Sequence, residues 1–338
     1  SPRRVKPAAG QSPSLRPPRP TPPASPPTHP RLAISSGWAP ACSSLRKPGA
    51  GRAAGGGAIA GHFLLRGVLL IAVQLLVVNR AWELSPGGWE VQLYAGVLFA
   101  LGSAMILGIP LLWLNSRFLL ALNIALVLAT ELLTPEPALW NQGFAGLTRL
   151  LHLPGGNLQL WVNYPVLPWL GFVTFGLVFG HWLLADTRRA FQRALWLGGI
   201  FLVAFVLVRI PDGFGNIRPR AGNTWIDFLN MVKYPPSLAF LLATMGVNLL
   251  LLGLFSRIRN EHQRYLQPLL VYGRVPLFFY LAHLFLYAAL GNLVTPKGTS
   301  LPAMYLLWLL GLLILYPMCL AYGRLKRRQA PNSLLRLL

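Results

Sequence analysis

"VYGRVPLFFYLAHLFLYAAL", residues 271–290, decides the fold. From Pro276 onward it is apolar for long enough to make a membrane helix, which needs about 20 such residues. Yet Arg274 opens it and His283 sits in its middle. Hydrocarbon holds few ionisable groups, and those it holds face the protein interior or a water-filled cavity. The whole chain agrees with a membrane setting. Of its 338 residues, 54% are hydrophobic and only 11% charged, against about 25% charged in a soluble domain. Mean hydropathy is +0.52. Lipid is the solvent such a chain is built for, and the lipid bilayer is its first partner.

Working outward, eight apolar runs have spanning length: about 62–82, 91–114, 117–134, 165–185, 192–210, 237–255, 274–293 and 303–322. Unbroken runs, in place of alternating ten-residue ones, argue against a β-barrel. The expected fold is therefore all-α: a polytopic transmembrane helix bundle of about eight spans over residues 58–323. In the first run Arg66 and Arg80 lie near the ends, where long side chains snorkel to the interface. A basic tail, 324–338, closes the chain. With eight spans, the basic connections around Arg117, Arg188–Arg193 and Arg257–Arg264, and both termini, share one side. Basic residues mark the cytoplasmic side. The connections at 83–90, 135–163, 211–236 and 294–302 fall opposite.

Residues 1–57 differ. Positions 1–61 hold nine Lys or Arg and no acidic residue. A Pro-, Arg- and Ser-rich stretch of this kind buries too little apolar surface to offset its entropy, and disorder is expected. Three readings stay open: a basic tail on anionic lipid, a polyproline II ligand, or a GC-rich stretch translated out of frame. The formal charge of +22 does not point to nucleic acid, because the basic residues cluster at span ends and in the tail without a recognition motif. Cys42 and Cys319 form no disulfide framework or zinc pattern. No HExxH, P-loop or GxSxG is present, and the histidine spacing suggests no metal site.

The candidate chemistry lies in the two long loops and in one helix. In 135–163, "GFAGLTRLLHLPGG" reads as an interfacial helix with Arg149 and His152 toward water, and Asn163 and Tyr164 precede the stiffening Pro165. In 211–236, Asp212, Arg218, Arg220, Asp227 and Lys233 are placed to receive a polar substrate; a solvated loop needs the same residues. "KYPPS", 233–237, stiffens the start of a span, with Lys233 and Tyr234 at the interface. His181 beside Trp182 reads as an interface anchor. Thr244 and Asn248 stand one turn apart, suited to bonds with a neighbouring helix. At 100° per residue, Pro276, Tyr280, His283 and Tyr287 share a face. That pattern fits a lined cavity, and it fits a packing histidine as well.

"YGRVPLFFYLAH", with "KYPPSLAFLLATMG", "NYPVLPWLGF" and "RLLHLPG", resembles the bacterial membrane proteins related to heparan-α-glucosaminide N-acetyltransferase, within the wider acyltransferase-3 type. The likeness runs in order over about 62–295. It implies a bacterial inner-membrane enzyme that takes acetyl from acetyl-CoA and passes it to an amine or hydroxyl of a sugar-like acceptor. Of the family's later motif it carries over Arg274, Lys233 and Tyr234, expected toward the cofactor, with Tyr280 and His283; read from the residues themselves, His283 is the catalytic candidate, and Tyr287, Asn163 and Asp212 join Tyr280 as candidates for the substrate cavity. In that family the catalytic histidine stands in a first helical hairpin before the segment that begins "HFLLRG". The chain is expected to lack that hairpin. A non-catalytic membrane protein, transporter-like or partner-binding, is the alternative. The oligomeric state is left open by the sequence.

Overall fold

A computed structural model describes residues 51–329, apart from positions 87, 141 and 259–263. The proline-rich stretch up to residue 50 with Cys42, Arg259, and the C-terminal residues from 330 lie outside the described residues. Seven helices among the described residues are long and apolar enough to cross a membrane. The chain is an integral membrane protein of all-α class.

Helix α1, Gly51–Val73, passes through a π-helical segment, Gln74–Val78, into α2, Asn79–Glu83. It begins inside the stretch read as tail, and it extends well before the expected start of the first span. The second expected span is a correction. Residues 91–114 are not one helix but a strand β1, Leu93–Ala95, a short helix α3, Val97–Leu107, and a 3-10 turn, Pro110–Trp113. Pro110 lacks the N–H that would continue the ladder. The 3-10 turn packs beside α1: a Cβ on Gly56 would be 3.5 Å from Trp113 Nε1.

Then come α4, Ser116–Leu133; α5, Gly146–Leu151; β2, Gly155–Gly156; β3, Leu160–Val162; α6, Val166–Ala185; and α7, Thr187–Arg209. The rest are α8, Trp225–Leu229; α9, Leu238–Phe255; α10, Gln267–Gly273; α11, Pro276–Val294; and α12, Leu301–Arg328. The three strands form one small sheet in the order β1-β3-β2. β1 and β3 pair in parallel, Tyr94 opposite Trp161, so α3 and α6 leave the sheet side by side.

Close packing comes from glycine at two crossings. A Cβ on Gly67 of α1 would stand 2.8 Å from the Gly102 carbonyl of α3, and one on Gly198 of α7 would stand 2.9 Å from the Gly246 carbonyl of α9. Small residues let backbones approach where lipid supplies no hydrophobic drive. Thr244 and Asn248 do not serve that purpose. The Thr244 hydroxyl donates to its own helix at Phe240 O, 2.7 Å, and Asn248 is exposed.

Candidate functional site

The connections gather at two ends of the bundle. At one end Ser116 and His181 Nδ1 are 3.0 Å apart, and Arg193 lies over Trp182 at 5.4 Å. The other end carries the sheet and both long loops. Its frame is built from polar groups that reach across helices. Gln74, fully buried, is turned inward by the π segment. Its Nε2 donates to the Tyr94 carbonyl at 3.3 Å, and its Oε1 accepts from the Leu98 N–H at 3.2 Å. Gly96, at the N-cap of α3, has no side chain to cap that N–H. Asn79, with its amide oriented by its partners, donates to the Tyr94 carbonyl and accepts from the Tyr94 N–H, both at 3.2 Å. The outer edge of β1 is thus paired by side chains.

Two arginines hold the loops. Arg149 was expected toward water, but it is 6% exposed. It donates to the carbonyls of Pro154 (2.9 Å), Trp140 (3.0 Å) and Gln142 (2.7 Å). A loop with this many turned-in carbonyls needs a planar multi-donor cation inside it. Arg209, 1% exposed, does the same for 211–236. It donates to Phe228 O (2.9 Å), Asp227 O (2.9 Å), Asn230 O (3.1 Å) and Asn216 Oδ1 (2.6 Å). Asp212 pairs with Arg209 at 3.4 Å and Arg220 at 3.6 Å, so the structure places it in the loop's own framework. Asp212 and Ile217 sit in the left-handed region, at φ 56° and 60°, a conformation that this network holds. Glu131, at the end of α4, accepts from the N–H groups of Leu238 and Gly215. It caps α9 together with Ser237, whose Oγ accepts from Phe240 N–H at 3.1 Å.

Inside this frame lies an aromatic cluster. The Tyr164 and Tyr234 hydroxyls are 2.9 Å apart, their rings edge to face at 4.8 Å. Lys233 Nζ lies 5.6 Å from the Tyr164 ring and 5.0 Å from the Tyr234 ring, cation–π distances. Asn163 Nδ2 donates to Tyr94 Oη at 3.1 Å, while its Oδ1 accepts from Trp161 Nε1 at 2.8 Å. Trp169 is 5.0 Å from Tyr164. Trp82 and Trp89 pack on Tyr94 at 5.9 and 4.8 Å. The indole N–H groups of Trp82 and Trp169 are buried without a partner among the described residues. Burial pushes the Tyr94 phenol up to about 12. Burial likewise raises Tyr164, reinforced by its bond to Tyr234. Both stay neutral hydroxyls, donors as well as acceptors.

Tyr280 of α11 is within electrostatic reach of Tyr94 and Tyr234, and its ring is 5.4 Å from His283. Tyr287 is 6.3 Å from His283 on the other side, so the expected helix face forms. His283 Nδ1 is 3.1 Å from the Phe279 carbonyl. A carbonyl only accepts, so Nδ1 carries a proton, and in the neutral ring Nε2 then holds the lone pair. The Tyr287 hydroxyl is turned to the Trp308 carbonyl, 2.8 Å.

The structure therefore brings Asn163, Lys233, Tyr234 and Tyr280 together, with His283 next to Tyr280. It sets Asp212 in the loop framework. Arg274 is exposed at the turn between α10 and α11. Tyr94 and Gln74 escaped the sequence reading because both lay in runs taken as plain helix. The signal for Tyr94 was the strand-prone "QLYAG" ending on a glycine. Gln74, the one amide within an otherwise apolar stretch, was the other.

Residues 36–208 match the family described as heparan-alpha-glucosaminide N-acetyltransferase, catalytic. The match begins within the stretch read as tail and ends before Lys233, Arg274 and His283. No curated protein and no solved structure matches the chain.

Proposed function

The chain belongs to this heparan-α-glucosaminide N-acetyltransferase catalytic family, and from that premise we propose that it is a membrane acetyltransferase acting on an amine or hydroxyl of a sugar-like acceptor. Acetyl-CoA, in this reading, supplies an activated acetyl group as a thioester. The observation that carries the proposal is the convergence of Tyr94, Tyr164, Tyr234 and Tyr280 from four separate elements beside a histidine with a free lone pair. Aromatic faces suit the apolar face of a sugar ring, and the neutral phenols and two unpartnered indole N–H groups suit its hydroxyls. Lys233 and the Asn163 amide fix the orientation. His283 Nε2 takes the proton that the acceptor sheds as its bond to the acetyl carbon forms, and returns it to the departing thiolate. The basic end of the bundle faces the bacterial cytoplasm in this reading, and the aromatic cluster faces outward.

The test is acetyl transfer by the purified full chain from labelled acetyl-CoA to glucosamine-terminated saccharides, followed by mass spectrometry. Loss of proton transfer in His283→Ala should lower turnover per folded molecule by about a hundredfold. His283→Gln separates roles, since Gln keeps a hydrogen bond to Phe279 but cannot shuttle a proton. A Gln variant with ordinary turnover would remove His283 from the chemistry. No transfer by the unmodified chain would favour the non-catalytic alternative.

A further inference from the structure

Loop 211–236 reads in sequence as solvated, or as the receiver of a polar substrate. The structure turns large apolar side chains outward there: Phe214, Trp225, Ile226 and Leu229 are each more than half exposed. Two spans fix the depth of the loop. Helix α7 has 23 residues, roughly 35 Å of helix, against a hydrocarbon core about 30 Å thick. Its last residue, Arg209, therefore lies at the core boundary. Arg209 donates to the carbonyls of Asp227, Phe228 and Asn230, which holds α8 at that level. The Phe228 ring packs on Phe205, one turn inside the span, at 5.6 Å. Independently, the Gly215 carbonyl accepts from Ala239 N–H at 2.9 Å, in the first turn of the next span, α9. Phe214 is thus held at the same boundary.

The lipid-facing side of α7 leads to the same place. Its buried face carries Ala190, Ala194, Gly198, Phe205 and Arg209. On the opposite side Trp196, Ile200, Val203, Leu207 and Ile210 recur at helical spacing, each more than half exposed. On a helix that spans a bilayer, such a stripe is lipid contact. It ends at Ile210, and Phe214 follows four residues on. Helix α8 is two-sided. Phe228 packs inward, Ile226 stands nearly opposite, Trp225 and Leu229 lie on one flank, and Asp227 lies on the other. The Asp227 carboxylate accepts from the Thr224 N–H and hydroxyl, so that flank is polar. An amphipathic segment at the core boundary lies with its apolar side in the acyl region and its polar side in water. Tryptophan at this depth sits among the headgroups.

We infer that Phe214 and α8 form a lipid-seated plate. Phe214, Trp225, Ile226 and Leu229 occupy the boundary between headgroups and acyl chains, in the leaflet at the sheet end. The occupant of this apolar face is lipid, because the face continues the lipid-contact stripe of α7 at the depth that Arg209 and Gly215 set. Lys233 and Tyr234 follow on the same loop, so the plate steadies one wall of the aromatic cluster against the leaflet. None of this depends on the acetyltransferase reading.

The experiment places single cysteines in the full chain, in a background of Cys42→Ser and Cys319→Ala, reconstituted in phosphatidylcholine nanodiscs. The positions are Phe214→Cys, Ile226→Cys and, as the water-side control, Asn223→Cys, exposed just before the Thr224 cap. Each carries a nitrobenzoxadiazole label, and its emission is quenched in turn by aqueous iodide and by phosphatidylcholine spin-labelled near the headgroup end of its acyl chain. The labels at Phe214 and Ile226 should emit at shorter wavelength than the control. They should lose most of their emission to the spin-labelled lipid and little to iodide, and the Asn223 label should do the reverse. Equal quenching of all three labels by iodide would overturn the lipid seat and put the loop in water. Shielding of the Phe214 and Ile226 labels from both quenchers would overturn it as well, because a second copy of the chain or another protein surface would then cover the plate.

Discussion

Which ring nitrogen a histidine spends on its surroundings decides what the other can do. His181 is engaged with Ser116. His283 spends Nδ1 on the Phe279 carbonyl, which leaves Nε2 uncommitted by that bond. His152 presents a third case. It was expected toward water, but its ring is bonded to the Leu133 carbonyl, and burial holds its pKa below the usual range against the upward pull of that bond. Its Nε2 is enclosed without a partner among the described residues. A histidine whose folded pKa is lowered binds its proton more readily in the unfolded chain. Its contribution is then intact above the ordinary value of about 6.5 and is lost as pH falls from there toward the lowered folded value. Melting of the detergent-solubilised protein should fall as pH drops below about 6.5, and His152→Gln should flatten part of that slope. Parallel slopes in the two proteins would show that His152 does not titrate with folding. The residue-level reading of sequence found Lys233, Tyr234 and Asn163 because prolines fix the backbone beside them. It misplaced Arg149 and Asp212 because charge in a loop reads as solvated, whereas turned-in carbonyls, invisible in sequence, recruit it inward.

Elements were legible in proportion to how local their causes are. Long apolar runs gave the spanning helices, whose backbone bonds close within the segment. The run 91–114 misled, because β1 exists only through parallel pairing with β3, a contact that hydropathy does not register, and because Pro110 shortens the helix after it. The π segment was equally silent: it inserts a wider turn that swings Gln74 onto β1. Helix pairing likewise depends on which glycine faces a partner. Gly198 and Gly199 are adjacent on α7, yet only Gly198 meets α9; a Cβ on Gly199 meets nothing within 4 Å. Gly198→Val should therefore destabilise the α7–α9 pair by about 1–3 kcal/mol through overpacking. Gly199→Val should melt close to the unmodified chain. Equal melting of the two variants would show that α7 and α9 do not pack through this crossing.

At the scale of the molecule, charge is divided between the two ends. Six of the seven described acidic residues, all but Asp186, belong to the end that carries the sheet and long loops. There Arg149 and Arg209 are buried and Arg220 is paired with Asp212. The opposite end presents Arg117, Arg188, Arg257 and Arg274, all exposed, together with the basic last turn of α12 at Lys326–Arg328. Such an asymmetry orients a membrane protein with its bare basic end in the cytoplasm. Gly222 and Arg257 lie on either side of a single crossing, α9, and make the sharpest probes. In a background of Cys42→Ser and Cys319→Ala, a membrane-impermeant maleimide should label Gly222→Cys from outside intact cells and leave Arg257→Cys unlabelled. Inverted vesicles should reverse the pattern. Labelling of both from one side would mean that α9 does not cross. A clean pattern of opposite sign would keep the crossing but turn the molecule over, setting the aromatic cluster in the cytoplasm, where an acceptor would have to be cytoplasmic too.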